Sequence, residues 1–139
     1  MTNTIEKPIA LDVVRGLYAA FERGDATGIM AQLNEELDWN EAENFMLSDG
    51  NPYRTPDAVA QGVFGRLATE LRDYEATPTE LFDAGDVIVA IGRSKGIVVA
   101  SGKAFDAQYA HIWRVRDGKI VGFQQILDTL AFWRAQQPE

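Results

Sequence analysis

His111 is the single histidine of this chain, and there is no cysteine. Acid–base chemistry by imidazole and carboxylate is therefore open to the protein. Thiolate nucleophiles, disulfides, cysteine-ligated metals and multi-histidine metal sites within one chain are not. His111 alternates with Phe105, Ala107, Tyr109, Trp113 and Val115, which places it on an apolar strand face. Glu41 follows Leu37 and Trp39 at a spacing of two, so a second strand carries an acid on an apolar face. Asp128 lies just past the last strand-like run. An imidazole in an apolar pocket, oriented by a carboxylate, is a proton shuttle near neutral pH. Each residue also has a plainer reading. His111 bonded to Gln124 or to backbone would serve packing alone. Glu41 at a strand end would sit in water, since buried charges need partners. Glu41 with His111 makes a poor metal site, because structural sites offer three or four ligands.

The element that must hold His111 is a hairpin, residues 105–128. Asp117-Gly118 tolerates the two positive φ angles of a type I′ turn. That turn pairs Arg116 with Lys119 and sets His111 opposite Gln124. In this unbulged register Asp128 shares the face of His111, while Gln125 lies on the other. A β-bulge in the last strand would exchange them.

Earlier in the chain, Pro8 suits the first turn of a helix, and residues 1–6 read as frayed. Val14, Leu17, Tyr18 and Phe21 recur at helical spacing. Gly24 ends that helix and Asp25 caps a second, with Ile29, Met30 and Leu33 apolar. Residues 42–55 form an irregular loop whose Phe45, Met46, Leu47 and Tyr53 must pack over something. Thr55-Pro56-Asp57 starts a third helix, striped by Val59, Val63, Phe64 and Leu67 and ending near Leu71. Residues 74–82 read as one strand weakened by Pro78. The unbroken run Val87–Ile91 suggests burial on both faces, and Ile97–Ala100 continues it past Gly92 and Gly96. Thr129–Gln136 closes the chain as a short helix.

The chain has 139 residues, 46% of them apolar, enough for one domain with a sizeable core. Its net charge of −8 repels phosphate backbones and anionic membranes. No apolar run reaches the ~18–20 residues of a membrane span, and the first twelve residues lack the apolar core of a signal peptide. A cytoplasmic protein is expected. Helices segregated from a run of antiparallel strands mean α+β. Long twisted strands curl around the early helices, giving a single-domain cone with an apolar interior open at one end.

In order and spacing, VVRGLYAAFERGD, LDWNE, PDAV, AGDVIVAIG and AHIWRVRDGKIVGFQQILD resemble the nuclear transport factor 2-like superfamily. Within it the chain is similar to SnoaL-like and ketosteroid isomerase-related proteins. The resemblance implies the same cystatin-like cone. Ketosteroid isomerase uses an Asp base with an oxyanion hole of a Tyr and a protonated Asp. By this resemblance its base falls at Glu41, its tyrosine at Leu17, one residue from Tyr18, and its protonated acid at Ala110 or His111. SnoaL-like cyclases pair a histidine, matched by His111, with an acid that aligns with Gln125. Relatives of limonene epoxide hydrolase place their acid there too. A glutamine cannot take a proton at neutral pH, so the chain departs from both patterns at that position.

The expectation is a pocket with Glu41, His111 and Asp128 as acid–base candidates, lined by Tyr18, Trp39, Phe64, Trp113 and Gln125. It would take a small apolar oxygenated molecule and no organic cofactor, nucleic acid or membrane. If catalytic, it would transfer a proton on, cyclise or hydrate that molecule. The alternative is a non-catalytic ligand-binding or dimerisation module. The resemblance implies a homodimer through the outer face of the sheet, where Ile112 and Phe123 lie together in the unbulged register.

Overall fold

The computed structural model describes residues 9–138; Pro8 and the segment 1–6 lie outside them. Helix α1, Ala10–Glu22, buries Val14, Leu17 and Tyr18 of the expected stripe together with Val13, while Phe21 is half-buried. Gly24 takes a positive φ of 68° and lets the chain turn. Asp25 then caps α2, Ala26–Ala31, by accepting the Gly28 N–H at 2.9 Å. Leu33 belongs not to this helix but to strand β1, Leu33–Asn40. Thr55 caps α3, Pro56–Val59, through Ala58 N–H at 3.1 Å. A π-helical turn, Ala60–Phe64, follows, and α4, Gly65–Glu70, completes the rod.

The remaining strands are β2 (Leu71–Glu75), β3 (Pro78–Asp83), β4 (Val87–Val98), β5 (Ala104–Arg116) and β6 (Lys119–Leu127). Helix α5, Thr129–Gln136, closes the described chain. The sheet order is β1-β6-β5-β4-β2, with β3 also paired to β4. All pairs are antiparallel except β1 with β6, which is parallel. The stretch expected as one strand over 74–82 is two. Both pair with β4, β2 through Leu71 opposite Val98 and β3 through Pro78 opposite Gly92. A proline cannot donate to a ladder, so it opens a new strand rather than continuing the old. β4 itself runs unbroken through Gly92 and Gly96. Its apolar run is buried on one face only: Ile88 and Ala90 are buried, whereas Ile91 is exposed.

Asp117 and Gly118 take φ of 50° and 77°, and Arg116 pairs with Lys119. One turn further the register shifts. Val115 faces Ile120 but Arg114 faces Gly122, so Val121 is a bulge. This one extra residue inverts the rest of β6. His111 lies opposite Gln125, not Gln124. Phe123 turns inward and is buried, contrary to its expected place on the outer face.

The helices cover the concave side of the sheet. The core between them holds Val14, Leu17, Trp39, Val59, Val63, Trp113 and Ile120 among others.

Candidate functional site

A cavity of about 50 Å³ lies inside the cone. Its wall includes Leu17, Tyr18, Trp39, Phe64, Trp113 and Phe123, with three buried polar residues among them: Glu41, His111 and Gln125. Each of the three is placed by a different local device.

His111 sits on the inner face of β5, where every second residue from Phe105 to Val115 is buried. Tyr109 stacks on its ring at 4.0 Å between centroids, and Phe123 meets it edge-on at 5.0 Å. Its Nδ1 lies 2.6 Å from the Tyr18 hydroxyl. That hydroxyl already accepts the Trp113 indole N–H at 2.9 Å. If the phenol directs its one proton at Nδ1, His111 carries its own hydrogen on Nε2. Burial depresses the imidazole pKa from 6.5 to about 3, so the ring is neutral at physiological pH. Burial also raises the Tyr18 phenol, which keeps its proton.

Glu41 follows the end of β1 with its side chain buried, not in water. Its backbone is clamped by one side chain: Asn51 Oδ1 accepts the Glu41 N–H at 2.9 Å, and Asn51 Nδ2 donates to the Glu41 carbonyl at 2.8 Å. Tyr53 anchors the same loop. It bridges back to Trp39 and donates its hydroxyl to the Leu47 carbonyl at 2.6 Å. Gly50 and Gly62 flank its ring so closely that a Cβ on either would collide with it. The carboxylate Oε2 accepts the Trp39 indole N–H at 3.2 Å. Desolvation raises the Glu41 pKa from 4.5 to about 7, and the Trp39 hydrogen bond opposes this only in part. A carboxyl that titrates near neutrality can both take and return a proton.

Gln125 reaches the cavity because of the bulge at Val121. Its Oε1 accepts the Ala42 N–H at 3.2 Å, which fixes the amide orientation. Three polar atoms remain without a protein partner: Glu41 Oε1, His111 Nε2 and Gln125 Nε2. No buried side-chain polar atom is both sealed and unpaired among the described residues. All three residues line the cavity, and Gln125 also borders a separate pocket with Ala42, Glu43, Gln124, Ile126 and Leu127.

Asp128 takes no part in this cavity. It is exposed, and its Oδ1 caps α5 by accepting the Ala131 N–H at 3.3 Å. The bulge puts Gln125 in the place opposite His111 that the unbulged register gives to Gln124, and turns Asp128 off the inward face. Tyr18, Trp39, Phe64 and Trp113 all line the cavity as expected. Tyr109, Phe123, Tyr74 and Phe21 were not singled out for the site. Gly122, a glycine inside a strand, is the one local signal of the bulge that brings Phe123 in. Among the described residues, no three of His, Asp and Glu come together where a metal ion could be held.

The SnoaL-like domain family matches residues 14–123. The chain belongs to this family. A nuclear transport factor 2-like protein from Burkholderia thailandensis is 37% identical, with 94% of this chain and 99% of that one covered and a TM-score of 0.90. Two more distant structures share the fold. TerC, co-crystallised with polyporic acid, is 23% identical over 91% of this chain and 96% of its own, with a TM-score of 0.79. IdmH from Streptomyces antibioticus, a proposed polyketide cyclase, is 22% identical over the same shares, with a TM-score of 0.75. No curated protein sequence matches the chain significantly. Among the described residues, no helix is long and apolar enough to cross a membrane.

Proposed function

We propose that this SnoaL-like protein binds a small carbonyl-containing molecule in the cone and moves a proton on it. The observation that carries this reading is that Glu41, His111 and Gln125, each with a side-chain polar atom that has no protein partner, line one largely apolar cavity. Glu41 is the base. Its carboxylate takes a proton from the carbon beside the carbonyl, and the electron pair moves onto oxygen. His111 Nε2–H and Gln125 Nε2–H donate to that oxygen, preorganised as an oxyanion site. Protonated Glu41 returns the proton, to the same carbon or to another, so no net oxidant or reductant is needed. Fold neighbours offer support of a coarser kind: TerC was co-crystallised with polyporic acid, and IdmH is a proposed polyketide cyclase.

The test is exchange of α-protons for deuterium, followed by NMR, across a panel of small ketones. Wild-type protein accelerates exchange for at least one of them and Glu41→Gln does not. Equal exchange by Glu41→Gln and by a His111→Ala variant would sink the acid–base assignment.

A second reading concerns the outer face of the sheet. Ile91, Ala110 and Ile126 are register neighbours across β4, β5 and β6, and Val89 and Ile112 lie beside them. Ile91 and Ile126 are exposed. A contiguous apolar strip of this kind fits a homodimer. Sedimentation at micromolar concentration should give a dimer that Ile126→Glu dissociates; a wild-type monomer would remove this reading.

A further inference from the structure

Glu41 lies just past the end of β1, where the ladder to β6 stops at Asn40 opposite Gln124. On the other edge of β1, Trp39 and Tyr53 exchange both backbone hydrogen bonds, at 3.0 and 2.9 Å. Such pairs recur at every second residue of an antiparallel ladder, so the next rung falls between Glu41 and Asn51. That rung is made, but by a side chain. The Asn51 N–H turns away to the Ser48 carbonyl at 3.1 Å. Its carboxamide substitutes for the peptide: Oδ1 accepts the Glu41 N–H at 2.9 Å, and Nδ2 donates to the Glu41 carbonyl at 2.8 Å. A carboxamide offers the acceptor and the donor of a peptide group, and only one amide orientation satisfies both bonds. The next N–H along, that of Ala42, is held by Gln125 Oε1 at 3.2 Å. The backbone at Glu41 is thus fixed by two side-chain amides beyond the reach of the regular sheet.

We infer that Asn51 is a positioning residue, whose side chain stands in for a strand rung and so keeps the Glu41 carboxyl turned into the cavity. The catalytic consequence rests on the proposed function. Asn51 is not among the residues that line the cavity, so it acts through Glu41. The carboxyl needs such a restraint. Burial disfavours its charged form, and inside it has one hydrogen bond, from the Trp39 indole at 3.2 Å. A released backbone would let it turn to water. Alanine at position 51 leaves the Glu41 N–H and carbonyl without their partner. Glutamine carries the same amide one methylene too far. Neighbouring groups do not confuse the reading. Tyr18, Tyr74 and His111 of the cavity and Tyr53 of the loop are held uncharged by burial. Glu43 and Asp49 of the loop are exposed, and Asp49 pairs with Arg66 at 2.7 Å.

The test reads Glu41 directly, by carbon-13 NMR titration of the glutamate carboxyls, with Glu41→Gln identifying its signal. In the wild type that signal should titrate near 7. In Asn51→Ala, and in the milder Asn51→Gln, it should move down toward 4.5. At pH 8 the carboxyl is ionised in every variant, so a lower rate there reports position. Exchange of α-protons by Asn51→Ala should fall on the order of 10²-fold. Thr55→Ala removes the α3 cap without touching the Glu41 rung and should leave the titration near 7. Glu41 titrating near 7 in both Asn51 variants, or displaced equally in Thr55→Ala, would overturn the assignment. The titration needs no substrate. If it moves as expected while wild-type protein exchanges no α-protons, the acid–base reading fails and the positioning of Glu41 stands. If exchange depends on Glu41 but both Asn51 variants keep the wild-type titration and rate, the positioning role alone fails.

Discussion

The two walls of the inner cavity each bury one titratable residue, and burial puts those residues to opposite uses. On the β5 wall, His111 is enclosed by aromatic rings, and its Nδ1 is taken by Tyr18. Its ring is held neutral down to about pH 3 and offers one fixed N–H. On the β1 wall, Glu41 is just as buried, yet the same desolvation carries it toward neutrality, to about 7. Desolvation always favours the uncharged form. For an imidazole that removes proton exchange from the working range, whereas for a carboxylate it brings proton exchange in. The histidine is thus the static partner and the glutamate the one that titrates. Pairs of groups whose environments push their pKa values apart are a recognisable route to acid–base assignment.

The largest effect expected is on proton transfer. Glu41→Gln keeps the size and the Trp39 contact but removes the base, and should lower α-proton exchange by on the order of 10²–10⁴-fold. The same variant reports on stability. Glu41 has a raised folded pKa, so its contribution is fully present below pH 4.5 and is lost as pH rises through about 7. At pH 8 the charge costs on the order of 3 kcal/mol. Glu41→Gln should be more stable than wild type there by an amount of that order, and the gap should close below pH 4.5. A variant equally destabilised at both pH values would break the contrast between the walls.

His111 gives the opposite slope. Its folded pKa is depressed, so its contribution is present above pH 6.5 and is lost as pH falls toward 3. The loss at pH 3 is on the order of 5 kcal/mol. Between pH 4.5 and 6.5 the two slopes oppose each other, at about 1.4 kcal/mol per pH unit each. Denaturation midpoints of the wild type should therefore move little on account of this pair across that window. His111→Phe should remove one slope, so that its stability rises as pH falls from 7 to 4.5. A stability profile that His111→Phe leaves unchanged would show that the histidine is not buried neutral.

Smaller effects separate positioning from packing. Tyr18→Phe removes the acceptor of the Trp113 N–H and the donor to His111 together, at a cost of about 1–3 kcal/mol read by urea denaturation. It should also release the histidine tautomer, a spectroscopic change that loss of packing alone would not produce. Asp128→Ala should cost about 1 kcal/mol, the usual loss of a helix cap, and leave exchange untouched. A loss of exchange in Asp128→Ala would restore it to the site.

Much of the fold could be read in advance, because periodicity reports which face of an element is buried. The α1 stripe, the alternation on β5 and the Asp117-Gly118 turn each rest on a local rule, and each is present. The inward placement of Tyr18 and His111 followed from those faces. The register of β6 did not follow. One bulged residue, Val121, moves Gln125 and Phe123 inward and leaves Asp128 to cap α5. Bulges are decided by how a strand meets its partners across the sheet, which a single sequence reports only through hints such as Gly122. The burial of Glu41 was hidden for a related reason. It depends on Asn51 and Tyr53 folding a loop back over β1, contacts set by tertiary packing rather than by spacing.

One histidine in the chain makes its central contrast directly measurable. Protein labelled with ¹⁵N-histidine gives a single imidazole spectrum, titrated from pH 4.5 to 8. A neutral ring carrying hydrogen on Nε2, unchanged across that range, is the predicted result. An imidazole that protonates between pH 6 and 7, or that carries its hydrogen on Nδ1, would contradict the assignment of His111 as the fixed donor opposite Glu41.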